Sequence, residues 1–112
     1  MNNLKNILSA DAIAQRQALT VDLVQTETHR NDHSAALIWV ASFVCKTTTD
    51  GERWMQADGI VDELQELRRL HRSFGYMTDD LLARRRRVSN NLRALLIEEG
   101  GVQLWETFNR EL

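Results

Sequence analysis

Residues 60–98 contain two stretches, Ile60–Phe74 and Asp79–Glu98, in which apolar residues recur at the spacing of an amphipathic helix. Gly75 suits the left-handed residue that ends a helix, and Thr78 suits the cap of the next one. Because so short a segment joins them, the two helices are expected to pack as an antiparallel pair. Any fold of this chain must then bury two facing stripes: Ala57, Ile60, Val61, Leu64, Leu67, His71 and Phe74 on the first helix, and Leu81, Val88, Leu92 and Leu95 on the second.

The rest of the chain favours more helix around this pair. A length of 112 residues suits one domain with one core, and 43% hydrophobic with 27% charged residues is typical of a globular protein. Proline, which is costly inside a helix, does not occur. We predict a mainly α, compact single-domain bundle over residues 1–112, with four to five helices near 9–28, 34–46, 50–74, 79–98 and 102–111. Ser9 is the expected cap of the first helix.

The middle of the chain leaves an α+β alternative open, with a short antiparallel meander over residues 18–57. Residues 19–23 alternate apolar and polar side chains, and residues 35–45 are apolar on every side, so periodicity does not separate helix from buried strand there. Asp50-Gly51 suits a hairpin turn. Thr49 and Glu52 also fit a capping box, which we favour because Trp54 continues in helical phase into the clear helix that follows.

The cellular compartment is suggested by what the sequence lacks. Cys45 is the one cysteine, so no intramolecular disulfide can form. The first eight residues show no basic segment followed by an apolar one, so no signal peptide is expected. The longest apolar run, residues 35–45, is too short to cross a bilayer. We expect a cytoplasmic protein without a membrane partner.

Charge alternates along the chain, although the net charge is only −2. Residues 1–60 carry five basic and seven acidic side chains, residues 61–97 eight and five, and residues 98–112 one and four. This acid–base–acid order suits a charged protein partner or self-association as a homodimer better than it suits a polyanion.

The run of arginines at 84–87 is the most conspicuous motif. With Arg68, Arg69 and Arg72 on the preceding helix it resembles a phosphate-binding patch. Four consecutive helical residues, however, point in four directions, with Arg86 facing away from the apolar stripe. Asp80 can also pair with Arg84 at i,i+4. A structural role or a protein interface is therefore favoured over nucleic-acid binding.

The acidic end of the second helix breaks a local rule. Glu98 and Glu99 lie at a helix C-terminus, where the helix dipole disfavours carboxylates, so they are candidates for meeting a basic surface on another molecule or copy. After Gly100-Gly101, Trp105 and Phe108 share one side of a segment too short to be stable alone. This segment is expected to dock on its own bundle, with insertion into a partner as the alternative.

The histidines give no catalytic or metal signature. His71 on an apolar stripe is more often an interior or interfacial histidine than a catalyst, because no nucleophile or carboxylate is predictable beside it. His29 and His33 have metal-ligand spacing if they share one helix, but Arg30 stands where the zincin pattern requires glutamate. We expect no catalytic residue, no metal and no cofactor.

The sequence therefore predicts a non-enzymatic protein-binding module that blocks or adapts a larger partner. Its composition, with arginine-rich and acidic blocks, resembles that of small accessory or inhibitor proteins of phages and mobile elements. A nucleic-acid-binding regulator using the arginine-rich hairpin is the alternative. The predicted partner-binding residues are Arg68, Arg72, Arg84, Arg85, Glu98, Glu99, Trp105 and Phe108.

Overall fold

Four helices make up the fold in a computed structural model that describes residues 8–112. They are α1 (Ala10–His29), α2 (His33–Thr47), α3 (Gly51–Phe74) and α4 (Asp79–Asn109). The mainly α prediction is confirmed, and residues 8–112 contain no strand, so the meander over 18–57 is absent. The expectation that the amino terminus carries no signal peptide concerns residues 1–7, which lie outside the described part.

Side-chain caps set the helix starts. The Ser9 hydroxyl accepts a hydrogen bond from the Ala12 N–H at 3.1 Å, and the Thr78 hydroxyl accepts one from Leu81 at 3.2 Å, as predicted. The capping box at Thr49 is wrong by one residue. Asp50 caps α3 instead, because its carboxylate accepts from the Arg53 N–H at 2.8 Å.

Two glycines with positive φ end or break helices. Gly75 has φ 82° and ends α3, as predicted. Gly101 has φ 81° and ψ 176°, a conformation open mainly to glycine, and it breaks α4 before its last segment, 102–109. The helical conformation before the break runs to Gly100, two residues beyond the predicted end. A Cβ at Gly100 would lie 2.7 Å from Leu104 Cδ2, so this close approach also favours glycine.

The core forms around α2, which contacts all three other helices. This position explains why its sequence is apolar on every side. Its buried residues meet those of α3 and α4 in one cluster that includes Leu37, Val40, Val44, Leu64, Leu67, Leu92 and Leu96. Within the described residues, none of these helices is both long and apolar enough to traverse a bilayer.

The segment after Gly101 packs on the bundle, as expected. Phe108 is completely buried, and its ring meets that of Phe43 edge-on. Trp105 is half-buried against the same core. The Thr28 hydroxyl donates a hydrogen bond to the Glu111 carbonyl at 2.9 Å, which joins the end of α1 to the end of the chain. The carboxyl-terminal segment is thus part of the bundle core.

Candidate functional site

A pocket of about 290 Å³ opens where the α1–α2 turn, the last turns of α3 and the second turn of α4 meet. We call it the basic pocket, because cationic side chains from all three places line it. Arg30 comes from the turn, Arg68 and Arg72 from α3, and Arg85 from α4. The remaining lining residues are Asn31, Asp32, His33, Ser34, His71 and Gly75.

Local backbone geometry builds one wall of the pocket. α1 ends at His29, and Asn31 takes the left-handed conformation with φ 59°, which asparagine tolerates better than most residues. This turn brings Asp32 into place as the cap of α2, where its carboxylate accepts from the Ala35 N–H at 3.0 Å. His33 and Ser34 follow in the first turn of α2 and face the same cavity.

Among residues 8–112, Asp32 is the only carboxylate that lines the pocket, and it is already engaged. Two nitrogens of Arg68 contact Asp32, Nη2 at 2.7 Å and Nε at 3.1 Å from Oδ2, in a bidentate pair. Burial by itself would raise the pKa of Asp32, but the hydrogen bonds from Arg68 and Ala35 and the Arg68 charge lower this pKa below its ordinary value. The hydrogen bond to Asp32 in turn raises the pKa of Arg68. Asp32 therefore has little capacity left to neutralise other cations.

Within residues 8–112, Arg85 is the one partly buried arginine of the pocket that has no ion-pair partner, since Arg72, which also has none, is exposed. The Arg85 side chain is partly buried, yet within residues 8–112 no carboxylate lies within 4.0 Å of its guanidinium. Burial lowers the pKa of Arg85, and the charge of Asp32 only partly offsets this. Burial, together with the Arg85 charge, likewise lowers the pKa of His33. Burial is the largest cause of both shifts, because it disfavours the charged form of each group.

The pocket suits a small anionic group. Four arginines and one aspartate give a local charge of +3 while the two histidines are neutral, against −2 for the whole chain. Guanidinium groups bind carboxylates and phosphates through bidentate hydrogen bonds. The cavity lies at the lower end of the volumes that hold small-molecule ligands, which are about 300–1,000 Å³. It therefore accommodates a carboxylate or a phosphate group better than a large molecule.

Several predicted partner-binding residues lie elsewhere and have partners within the chain. Arg84 pairs with Glu63 of α3 at 3.1 Å and not with Asp80. Oε1 of Glu99 lies 2.9 Å from Arg53 Nε and accepts from the Thr48 hydroxyl at 2.8 Å. The Arg53 contact is an ion pair without hydrogen-bond geometry, since this Nε has no hydrogen-bond partner.

The aromatic candidates do not line the basic pocket either. Phe108 is inaccessible in the core, and Trp105 is half-covered by the bundle. Glu98 is exposed on α4, away from the pocket. Of the predicted set, the structure brings Arg68, Arg72 and Arg85 together. These three are the residues on which a binding site can be argued.

Sequence reasoning did not assign the pocket itself. His71, expected as an interior or interfacial histidine, is half-buried at the pocket wall. His29 and His33 would face the same way only on one helix, and the turn at Asn31 puts them on different helices. In the described part of the chain no three His, Cys, Asp or Glu side chains are placed to hold a metal ion. The signal that could have located the site was Asp32, a capping residue directly before an apolar helix.

Comparison with protein-family models, with curated proteins and with solved structures finds no match to this chain.

Proposed function

We propose that this protein is a non-enzymatic binding module whose basic pocket receives an acidic side chain or a terminal carboxylate of a larger protein partner. The observation that carries the proposal is Arg85, a partly buried guanidinium without a carboxylate in reach inside a cavity of net positive charge. A buried charge is costly unless it is paired. A carboxylate from a partner would supply the missing pair.

The rim of the pocket supports a protein partner. Gly75 lines the pocket, and its neighbours on either side, Phe74 and Tyr76, are 54% and 63% exposed. Aromatic residues beside arginine are typical of the central contacts of protein interfaces. In such a complex the aromatic rings would cover the pocket from water, and the ion pair inside would strengthen as water leaves.

Nucleic-acid binding is less well supported. A duplex backbone needs several basic side chains that are free to meet successive phosphates. Within the hairpin, Arg68, Arg69 and Arg84 already pair with Asp32, Glu66 and Glu63. The remaining arginines of the 84–87 run are not on one face, since Arg85 enters the pocket while Arg86 and Arg87 are exposed on α4.

The proposal includes the role expected from composition, an accessory or inhibitor protein that blocks or adapts its partner. The cytoplasmic location remains a prediction. So does the absence of an enzymatic activity, a metal and a cofactor.

Affinity capture from a lysate of the native host tests the proposal. The bait is the wild-type chain beside Arg85→Gln, Arg72→Glu and the control Arg86→Gln, which changes a neighbouring but exposed arginine of the same run. A partner retained by the wild type and by Arg86→Gln, and lost with both pocket variants, is expected. Because Arg72 is exposed, its substitution does not endanger folding. Equal capture by all four baits would reject the pocket as the binding site.

A further inference from the structure

A second surface lies on the outer side of α4, away from the basic pocket. Arg87, Asn91, Ala94 and Glu98 are all exposed there. At 3.6 residues per turn they fall within about 60° of one another around the helix. They border a groove of about 580 Å³ between α3 and α4 whose apolar floor includes Ile60, Val88 and Leu95. We call these four exposed residues the α4 stripe.

The positions of the α4 stripe are symmetric about its midpoint, and the residues at its two ends carry opposite charges. Spacings of four, three and four residues separate its members, so a twofold axis across the stripe between positions 92 and 93 exchanges Arg87 with Glu98 and Asn91 with Ala94. The two charged ends lie about 16 Å apart along the helix, at 1.5 Å per residue. A second α4 that packs antiparallel therefore brings each arginine opposite the glutamate of the other copy.

The charges at both ends of the stripe are available for such contacts. Within residues 8–112, neither Arg87 nor Glu98 has an ion-pair partner, whereas the neighbouring Arg84 and Glu99 both do. The adjacent residues allow a close approach. Ala94 is small, and a Cβ placed on Gly59 of α3 would meet no atom within 4 Å. Helices pack closely where such residues lie in the contact.

We infer that a second copy of this chain docks on the α4 stripe, which makes a twofold dimer with α4 antiparallel to α4. A closed pair of this kind uses the same patch on both copies, so its charges must be self-complementary. The α4 stripe meets this requirement, since its one cation and its one anion lie at opposite ends of a single exposed helical face. The inference does not rest on the proposed function, because no residue of the stripe lines the basic pocket.

Molar mass in solution, measured by sedimentation equilibrium over a range of concentrations, tests the dimer. The wild type is expected to rise from the monomer mass of 12.9 kDa toward twice that value. Arg87→Glu and Glu98→Arg each place like charges together at both ends, so each alone should weaken the dimer at least about tenfold. Arg93→Glu, an exposed arginine off the stripe, is the control and should dimerise like the wild type.

Mixing the two charge-reversed variants is the decisive experiment. In an antiparallel pair of one Arg87→Glu chain with one Glu98→Arg chain, both ends again join opposite charges, so the equimolar mixture and the double variant should each recover the dimer mass. A wild type that stays at the monomer mass overturns the inference. A wild-type dimer that neither single variant weakens, or that the mixture fails to restore, overturns it as well, because the dimer then uses another face.

Discussion

The ring of Phe108 meets the ring of Phe43 edge-on, with centroids 5.2 Å apart and planes inclined by 63°. One ring belongs to the last segment of the chain and the other to α2, the helix at the centre of the bundle. Such pairs contribute about 0.5–1.5 kcal/mol beyond the area that they bury. The contact makes the carboxyl-terminal segment a structural element of this protein, although that segment alone would be too short to hold its helix.

Phe108→Ala should lower the free energy of unfolding by about 3–5 kcal/mol, because it removes a fully buried ring and leaves a cavity beside Phe43. Urea denaturation measures the difference. Phe74→Ala is the matched control, since that ring is 54% exposed. Its cost should stay within about 0.5 kcal/mol, as for most surface substitutions. Similar losses for both variants would mean that the last segment does not pack as described.

Gly101→Ala and Gly59→Ala should change stability in opposite directions. Gly101 has φ 81°, which strains any residue with a Cβ, so alanine there should cost about 1–3 kcal/mol. Gly59 lies inside α3 with open space around its Cα, and alanine should stabilise the chain by about 0.5–1 kcal/mol. Thermal denaturation of both variants checks the sign. A stabilised Gly101→Ala protein would show that α4 does not break there.

The Asp32–Arg68 pair should make stability fall in acid. The folded-state pKa of Asp32 lies below its ordinary value of 3.8, so the ionised carboxylate stabilises the fold above that pH, and this stability is lost as pH falls through the folded pKa. Asp32→Asn keeps a capping side chain but loses the charge. It should cost on the order of 1 kcal/mol near neutral pH, since both partners are about one-third exposed.

Urea denaturation at a series of pH values separates the charge from the cap. The difference between wild type and Asp32→Asn should be fully present well above pH 3.8, should shrink as the pH falls below that value, and should close only below the folded-state pKa, where the wild-type carboxylate becomes protonated in the fold. Asp62→Asn, at an exposed position that has no ion-pair partner among residues 8–112, is the control and should differ little from the wild type across the series. A gap that stays constant down to the lowest pH would assign the effect to the cap instead of the charge.

Binding of an acidic peptide should strengthen as pH falls through the ordinary imidazole pKa of 6.5 and below it. Burial and the Arg85 charge lower the pKa of His33 in the free protein. A bound carboxylate offsets the Arg85 charge and raises the pKa of His33. Binding is therefore accompanied by proton uptake, and the affinity rises as the pH falls. Isothermal titration calorimetry at several pH values measures this slope.

The histidine substitutions isolate this effect. His33→Gln should remove this pH dependence, since His33 lines the pocket and is the imidazole whose pKa burial and the Arg85 charge lower. Substitution of His29, which is exposed on α1 and does not line the pocket, should leave it unchanged. An unaltered slope in His33→Gln would show that the bound anion does not reach His33.

The helices could be predicted because their signals are local. Apolar spacing located α3 and α4, and Ser9, Gly75 and Thr78 marked ends that the structure confirms. The cap of α3 could not be fixed in the same way. Thr49 and Asp50 are both residue types that cap helices. The Asp50 N–H donates a hydrogen bond to the Thr48 hydroxyl, which favours Asp50 as the cap. This hydrogen bond depends on how the chain leaves α2.

The ion pairs between different helices could not be predicted, because they join residues that are far apart in sequence. Asp32 and Arg68 are separated by 36 positions, and Glu63 and Arg84 by 21. Local spacing favoured Asp80 for Arg84, but the antiparallel packing of α3 and α4 supplies Glu63. The same holds for Glu99, whose place near a helix C-terminus looked unfavourable and is stabilised by Arg53 and Thr48.

The arginine run was noticed in the sequence, but its division of roles was not. Arg84, Arg85 and Arg86 are consecutive, yet one pairs with α3, one enters a pocket and one is exposed. Helical geometry predicts that they point apart. That Arg85 lines a pocket depends on the turn at Asn31 and on the position of Asp32, and neither follows from residue spacing.

Calorimetric titration of a glutamate-rich peptide into the wild type, Arg85→Gln and Arg86→Gln measures most directly whether the basic pocket binds an acidic group. We predict binding to the wild type and to Arg86→Gln with similar affinity, at least about tenfold weaker binding to Arg85→Gln, as for loss of one charged hydrogen-bond partner, and none for the same peptide with glutamine in place of glutamate. Equal affinity of the three proteins, or equal binding of the glutamine peptide, would contradict the role assigned to Arg85.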